Sequence, residues 1–336
     1  MARFPIVLVM SFSLFVLGAM AQTQTGEAIM EQLTLLKDNQ LDVFALNDDE
    51  VDQLINAINQ EVLDDHLKLY PDNNYYTEFP WKRGLLCSEN DKQARVLARL
   101  YLRRGEDDPV KYQDTYDALL GSLLDYIPDE MRPPELSTID FDALAHDTEA
   151  LQALLISMIE MDQYLVMRHY ESEAYAKLTA IIEGDHNRRE AFEALLRPSK
   201  CRYIRQLGHI AEQILRSQGW PDPKTTGDQA SLALWLIIQH QDENPELQAY
   251  ALPILKQAVE DLGVKPAHYA YLEDRINTNH GRKQRFGTQL FDCGETTLVN
   301  ASKVDQWRAE YGLGSISEYR AQPWAAHLGC DVVDLQ

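Results

Sequence analysis

Residues 268–300 read HYAYLEDRINTNHGRKQRFGTQLFDCGETTLVN, and this stretch decides how the C-terminal part of the chain folds. Tyr269, Leu272 and Ile276 recur at helical spacing, which predicts one amphipathic helix. The helix is predicted to end at Gly281, because glycine enters the left-handed region at little cost. Upstream, Asn47–Glu50 has the residue types of a capping box and predicts the start of another helix.

The pattern after Gly281 is no longer helical. Asp292–Glu295 supplies a turn signal, and Thr296–Val299 has the composition of a strand. We therefore predict that the helix leads into a short β-hairpin. The junction carries many groups that make directional hydrogen bonds: Asp274, Arg275, Gln284, Arg285, Thr288 and Gln289.

Several blocks of the chain resemble the DUF6624 family of bacterial proteins. The blocks are Trp220-Pro221, Ala230–His240, Leu252-Pro253, Ala270–Arg275 and Gln284–Gln289, preceded by a similar helical opening at Met158–Gln163. The resemblance covers roughly residues 151–320. The family usually has tyrosine where this chain has Phe286, so a function that needs a phenolic hydroxyl would be lost here. Because the family's function is unknown, the resemblance implies a domain and a candidate site but no substrate.

The N-terminus has the features of a cleavable signal peptide over residues 1–21. Arg3 gives a positive start, Ile6–Leu17 is an apolar core, and Ala19–Ala21 fits a small-x-small cleavage site. A membrane anchor is the alternative, but the apolar run is short for a bilayer and no later segment comes close. We predict a periplasmic or secreted chain with no transmembrane segment after signal removal.

Cys87, Cys201, Cys293 and Cys330 are far apart and form no Cys-x-x-Cys pair. In an oxidising compartment disulfides are allowed, and four cysteines permit three pairings. A Cys293–Cys330 bond would tie the predicted hairpin to the C-terminal tail. Buried free thiols are the alternative.

The composition excludes some classes of partner and cofactor. The formal charge of −22 would repel a phosphate backbone, so nucleic acid is not an expected partner. No metal-ligand spacing, phosphate loop or dinucleotide fingerprint occurs, and we therefore predict no metal and no cofactor. The partner is predicted to be an envelope protein, a peptide or a small molecule.

The fold class predicted from these patterns is mainly α, a helical bundle or array with a short β-hairpin near the C-terminus. Pro133-Pro134 marks a linker, which predicts an N-terminal helical region over residues 26–135 and a second domain over residues 140–325. Ala230–Ile238 is apolar on nearly all sides and is predicted to be the central buried helix. His240 lies at the C-terminal end of this predicted helix.

Two functions remain open for the polar junction. In the first, the chain is an envelope binding or structural module, and the polar side chains satisfy backbone groups or grip a partner. In the second, it is a hydrolase-like enzyme in which His240 and Asp274 form the catalytic pair. The residues expected to hold the ligand are Arg275, Gln284, Phe286, Thr288 and Gln289, with Thr288 also a weak nucleophile candidate. The exposure of these side chains distinguishes the two functions, since an enzyme needs them to line a cleft.

Overall fold

The computed structural model describes residues 26–71, 87–124, 126–166, 172–289 and 298–322. Helix is the dominant structure in these ranges, as predicted. In chain order the α-helices are α1 (26–37), α2 (Asp48–Leu69), α3 (Asp91–Gly105), α4 (Pro109–Leu124), α5 (Phe141–Leu144), α6 (Thr148–Val166), α7 (Glu173–Ile182), α8 (His186–Gln218), α9 (Pro223–Thr226), α10 (Asp228–Gln239), α11 (Pro245–Asp261), α12 (Pro266–Asn279), α13 (Val304–Glu310) and α14 (Ile316–Arg320). Short 3₁₀ helices cover Val43–Ala45, Asp129–Met131 and Leu136–Thr138.

The predicted β-hairpin is wrong. The described part of the chain contains no strand, and the only pairing near the predicted hairpin is an isolated parallel bridge between Gln284 and Leu298. A hairpin would require antiparallel pairing. Residues 284–289 instead form a tight loop with Gly287 at φ 64°, and the predicted turn at Asp292–Glu295 lies outside the described residues.

Local capping signals set several helix ends where the sequence predicted them. The backbone N–H of Asn47 donates to Glu50 Oε2 at 2.9 Å, and the N–H of Glu50 donates to Asn47 Oδ1 at 3.0 Å. This reciprocal pair is the predicted capping box, and it satisfies two donors at the start of α2. At the other end of the chain, α12 stops at Asn279 and Gly281 follows with φ 65°.

Contacts between residues group the chain into two compact units. Among the described residues, the first unit takes those up to Val62 together with Asn90–Leu124 and Lys177–Pro198. The second unit takes the rest. Each unit therefore draws on segments that are distant in sequence.

The core of the second unit is built on α10. Its apolar residues Ala230, Leu234 and Ile237 are fully buried, which confirms the predicted central helix. α10 packs mainly against α6, and α11 packs against α12. α10 also contacts both α11 and α12, so this helix joins the two pairs.

A disulfide joins Cys87 to Cys201, with Cα atoms 5.6 Å apart. Cys293 and Cys330, whose pairing the sequence left open, lie outside the described residues. Within the ranges described, no helix is both long and apolar enough to cross a bilayer.

Candidate functional site

The loop after α12 is held by one buried carboxylate, that of Asp274. Its Oδ1 accepts the backbone N–H of Arg285 at 2.8 Å, and its Oδ2 accepts the N–H of Thr288 at 2.9 Å. The N–H of Phe286 reaches both oxygens at 3.1 and 3.2 Å, and the Thr288 hydroxyl donates to Oδ2 at 3.0 Å. Asp274 is fully buried, and burial raises its pKa while these hydrogen bonds act in the opposite direction. The Asp274 carboxylate thus accepts the backbone hydrogen bonds that a paired strand would otherwise accept.

The carbonyl groups of the same loop are satisfied from the C-terminal helices. Arg308 on α13 is 1% exposed, and its Nη1 donates to the Phe286 carbonyl at 2.7 Å. The Tyr319 hydroxyl on α14 donates to the Thr288 carbonyl at 2.8 Å. Backbone donors and acceptors of the loop are therefore paired from opposite sides by side chains.

Two glutamines close the loop on itself. Gln284 Nε2 donates to the Gln289 carbonyl at 2.8 Å, and the Gln289 N–H donates back to Gln284 Oε1 at 2.9 Å. Both side chains are buried, as are Phe286 and Thr288. These four residues, predicted to bind ligand, are thus packed into the protein and engaged with it.

The acidic partner of His240 is Asp162 of α6 and not Asp274. Nδ1 of His240 lies 2.9 Å from both Oδ1 and Oδ2 of Asp162. The Asp162 side chain is 1% exposed, and Gln163 Nε2 also donates to its Oδ2 at 3.0 Å. The His240 side chain is 23% exposed, so one end of the pair is buried and the other reaches the surface.

Arg275 and Asp242 form a second charged pair beside it. Arg275 Nε donates to Asp242 Oδ1 at 2.8 Å, and its Nη2 donates to Oδ2, which makes the contact bidentate. Asn279 Nδ2 adds a bond to Asp242 Oδ1 at 2.9 Å. Burial alone would raise the pKa of Asp242, but the charge and hydrogen bonds of Arg275 hold it below its usual value. Arg275 Nη1 also reaches Gln289 Oε1 at 3.2 Å, which links this pair to the loop.

These two pairs border a cleft of about 220 Å³ at the C-terminal end of α10. Its lining includes His240, Asp242 and Arg275 from the pairs described above. The remaining lining residues are Cys87, Val166, Lys200, Cys201, Ile204, Arg205, Gln241, Glu243 and Asn244. The cleft therefore combines an imidazole, three cations and two acids on an otherwise helical surface.

The predicted site residues fall into two sets. His240 and Arg275 line the cleft, whereas the Asp274 side chain and the four loop residues are committed to the loop. At Phe286, where tyrosine was expected from the family resemblance, the ring is fully buried and lies 4.8 Å from the Tyr311 ring. The phenylalanine thus fills a packing position outside the cleft.

Sequence reasoning missed Asp162, Asp242, Lys200 and Arg205. The Asp162-Gln163 pair was visible as part of the family-like opening, and its position on the apolar side of a helix was the signal that it is buried. Asp242 follows His240 by two residues, and this closeness in sequence was the only signal that it could belong to the site. Lys200 and Arg205 had no distinguishing pattern in the sequence. Among the described residues, no group of three His, Cys, Asp or Glu side chains could hold a metal ion.

Comparison with known proteins gives one match. No curated protein and no solved structure matches the chain. The part of the chain that matches a family model contains His240, Asp242 and Arg275, whereas Asp162 precedes that part. Residues 202–326 match the model of DUF6624, a family of unknown function, and this confirms the family resemblance seen in the sequence.

Proposed function

We propose that the second unit is a hydrolase-like enzyme in which His240 acts as a general base on water. One observation carries the proposal. The His240 ring lines the cleft while its Nδ1 is held 2.9 Å from both oxygens of the buried Asp162. A carboxylate on one ring nitrogen leaves the other nitrogen basic and fixes the plane of the ring, which is what a general base requires.

The roles of the two residues follow from this geometry. Asp162 accepts the Nδ1–H bond, selects the tautomer with an unprotonated Nε2, and stabilises the imidazolium when it forms. Nε2 of His240 has no hydrogen-bond partner among the described residues and can accept a proton from water. The water oxygen then bonds to the carbonyl carbon or phosphorus of the substrate, and the same proton passes to the leaving group as its bond breaks.

The cleft favours a small, negatively charged or carbonyl-bearing substrate. Arg275, Lys200 and Arg205 all line it, and guanidinium and ammonium groups stabilise the negative charge that develops during hydrolysis. Its volume of about 220 Å³ is below the roughly 300–1,000 Å³ of drug-sized ligand sites. The substrate is therefore a small molecule or the end of a longer chain.

Water is the proposed nucleophile because the candidate protein nucleophiles are engaged elsewhere. The Thr288 hydroxyl is buried and donates to Asp274. Cys87 and Cys201, which line the cleft, are joined in the disulfide.

A binding module of the cell envelope is the second candidate. The observation that favours it is the pairing of the cleft's charges: Arg275 is held by Asp242, and Arg205 Nη1 lies 3.0 Å from Glu89 Oε1. Paired charges can grip a partner's polar groups without performing chemistry. In that case His240 would orient the ligand or only cap the end of α10.

Export is part of the same proposal. The signal-like features of residues 1–21 support it, and so does the disulfide, because such bonds persist mainly in oxidising compartments. Mass spectrometry of the chain recovered from cell fractions tests this. A periplasmic or secreted form beginning near Gln22 is expected, and an uncleaved cytoplasmic form would contradict it.

The enzyme proposal is tested with His240→Gln and Asp162→Asn, assayed on a panel of small carboxylate and phosphate esters. General-base catalysis contributes about 10²–10⁴-fold, so we expect His240→Gln to lose at least about 100-fold in kcat with an unchanged melting temperature. Asp162→Asn should also lower kcat, since it removes the carboxylate that fixes the tautomer.

The matched control is His186→Gln, whose side chain is 77% exposed and remote from the pair in sequence. It should leave kcat unchanged. Hydrolysis by wild type that survives His240→Gln would exclude the base role. Absence of hydrolysis across the panel, together with a ligand-induced rise in melting temperature that the His240 variant loses, would favour the binding module.

A further inference from the structure

A second recess lies within the first unit and is separate in its residues from the cleft. Its volume is about 520 Å³. The lining comes from the end of α1, from the segment that follows it and from two further helices. Lining residues include Asn39, Asp42 and Phe44 in the segment, Val96 on α3 and Gln113 on α4. We call this recess the N-terminal groove.

The N-terminal groove concentrates positive charge in an acidic protein. Four cations line it, Lys37, Lys92, Arg95 and Arg99, against one acid, Asp42. The side chains lining the groove therefore have a formal net charge of four minus one, or +3. The whole chain, in contrast, has 31 basic and 53 acidic residues. A surface that is acidic elsewhere repels anions, so this groove is where an anion would be attracted.

Two of these cations have no acidic partner. Lys37 Nζ lies 2.9 Å from Glu61 Oε2, and Lys92 Nζ lies 3.8 Å from Asp38 Oδ1. Arg95 and Arg99, one turn apart on α3, have no carboxylate within ion-pair distance in the described ranges. Arg99 Nη1 donates to the neutral Asn39 Oδ1 at 3.0 Å, and the same guanidinium lies beside the Tyr112 hydroxyl. Guanidinium groups match carboxylate and phosphate oxygens in a bidentate fashion, which suits these two arginines to an anionic group.

Aromatic rings form the other part of the lining. Tyr112 and Tyr116 lie parallel, with centroids 6.4 Å apart and planes 4° apart, and Phe44 meets Tyr112 edge-on at 5.0 Å. Tyr112 is 5% exposed, and its buried hydroxyl lies beside the Arg99 guanidinium.

We propose that the N-terminal groove binds a small organic anion that carries a planar ring and a phosphate or carboxylate group. Arg95 and Arg99 hold the anionic group, and the tyrosine and phenylalanine rings contact the planar part. The volume of about 520 Å³ falls within the roughly 300–1,000 Å³ of sites for such molecules. The inference does not depend on the chemistry of the His240 cleft.

Isothermal titration calorimetry on the full chain tests the proposal with three probes. Phenylphosphonate and phthalate each join a ring to a dianion, while inorganic phosphate has the charge without the ring. We expect at least one of the ring-bearing anions to bind saturably and at least about tenfold more tightly than inorganic phosphate. The tighter of the two tells whether the natural ligand carries phosphate or carboxylate. Failure of both to bind, or equal affinity for inorganic phosphate, overturns the proposal.

The variant is Arg95→Glu, and the matched control is Arg104→Glu on the same helix. Arg95 is exposed and the Arg104 side chain is 47% exposed, so both changes lie on the surface and alter net charge equally. The Arg104 change also removes an exposed ion pair with Asp52. Arg95→Glu should weaken binding at least about tenfold, whereas Arg104→Glu should stay within about twofold. Equal weakening by the two variants would mean that only bulk charge is sensed and would overturn a specific site.

Discussion

Asp274 gives the loop of residues 284–289 the hydrogen-bond partners that a strand would otherwise supply. Replacing it with asparagine leaves one acceptor oxygen and turns an NH₂ group toward backbone donors. Each buried group left unsatisfied costs about 1–3 kcal/mol, so we expect Asp274→Asn to lower the free energy of unfolding by about 3 kcal/mol. Urea unfolding measures this.

Thr288→Val is the control for Asp274, since it removes one donor to the carboxylate, together with one acceptor for Gln289 Nε2, and keeps the shape of the side chain. It should cost about 1 kcal/mol. A loss below about 0.5 kcal/mol for Asp274→Asn would mean that the loop does not depend on this carboxylate.

The partner of His240 could not be identified from residue patterns. Asp274 lies in the most site-like stretch of the sequence, and Asp162 lies 78 positions before His240. Both carboxylates are buried in the structure, so burial does not distinguish them as partners of His240. The local sequence pattern does not distinguish them either. Asp162 reaches His240 because α6 packs against α10. This tertiary contact cannot be read from the spacing of residues in the sequence.

At the scale of elements, α8 passes close to the end of α10 at Gly208. A Cβ atom added there would lie 2.0 Å from Gln241 Oε1. Gln241 is 3% exposed and its Nε2 donates to the Ile204 carbonyl at 2.9 Å, so it has little room to move. We expect Gly208→Ala to cost about 2 kcal/mol in unfolding free energy and to disturb His240, its neighbour in the chain.

Thermal unfolding measures this cost, and Gly121→Ala in α4 is the matched control. Nothing lies within 4 Å of a Cβ at Gly121, so alanine should stabilise that helix by up to about 1 kcal/mol. If Gly208→Ala were equally stabilising, the close approach of the two helices would be disproved.

Helices with strong local signals were predictable, and the loop was not. The capping pair at Asn47 and Glu50, the apolar run of α10 and the glycine after α12 each act through neighbouring residues. The hairpin prediction failed because Thr288 and its neighbours donate to a side chain eleven to fourteen positions away, Asp274. Alternation of polar and apolar residues does not distinguish such a loop from a strand.

At the scale of the whole molecule, stability on the acid side depends in part on His268. Its ring stacks on Trp235 with centroids 4.4 Å apart, and burial lowers its pKa from 6.5 to about 4. As pH falls below 6.5 the unfolded chain binds a proton that the folded chain refuses, so stability is lost progressively until about pH 4. The loss should amount to roughly 2 kcal/mol after allowance for partial exposure.

His268→Phe keeps a ring against Trp235 and removes the titration. We expect the difference in unfolding free energy between wild type and this variant to change by roughly 2 kcal/mol from pH 7 to pH 4, in favour of the variant. His186→Gln, at an exposed position, should track wild type over the same range. Parallel pH profiles for wild type and His268→Phe would contradict the lowered pKa.

The two units carry different kinds of candidate site in one chain. The His240 cleft offers an imidazole held by a buried acid, whereas the N-terminal groove offers arginines beside aromatic rings, with no carboxylate partner in the described ranges. The predicted boundary near residue 135 stays a prediction, since segments of both units alternate along the sequence.

The bond between Cys87 and Cys201 joins residues 114 positions apart, and both cysteines line the His240 cleft. The cleft wall is therefore completed by a covalent step that follows chain synthesis. A newly made chain kept in a reducing cytosol would carry every residue of the cleft and still lack this closure. If the chain is exported as proposed, oxidation of this cysteine pair would be the last step in assembling the cleft.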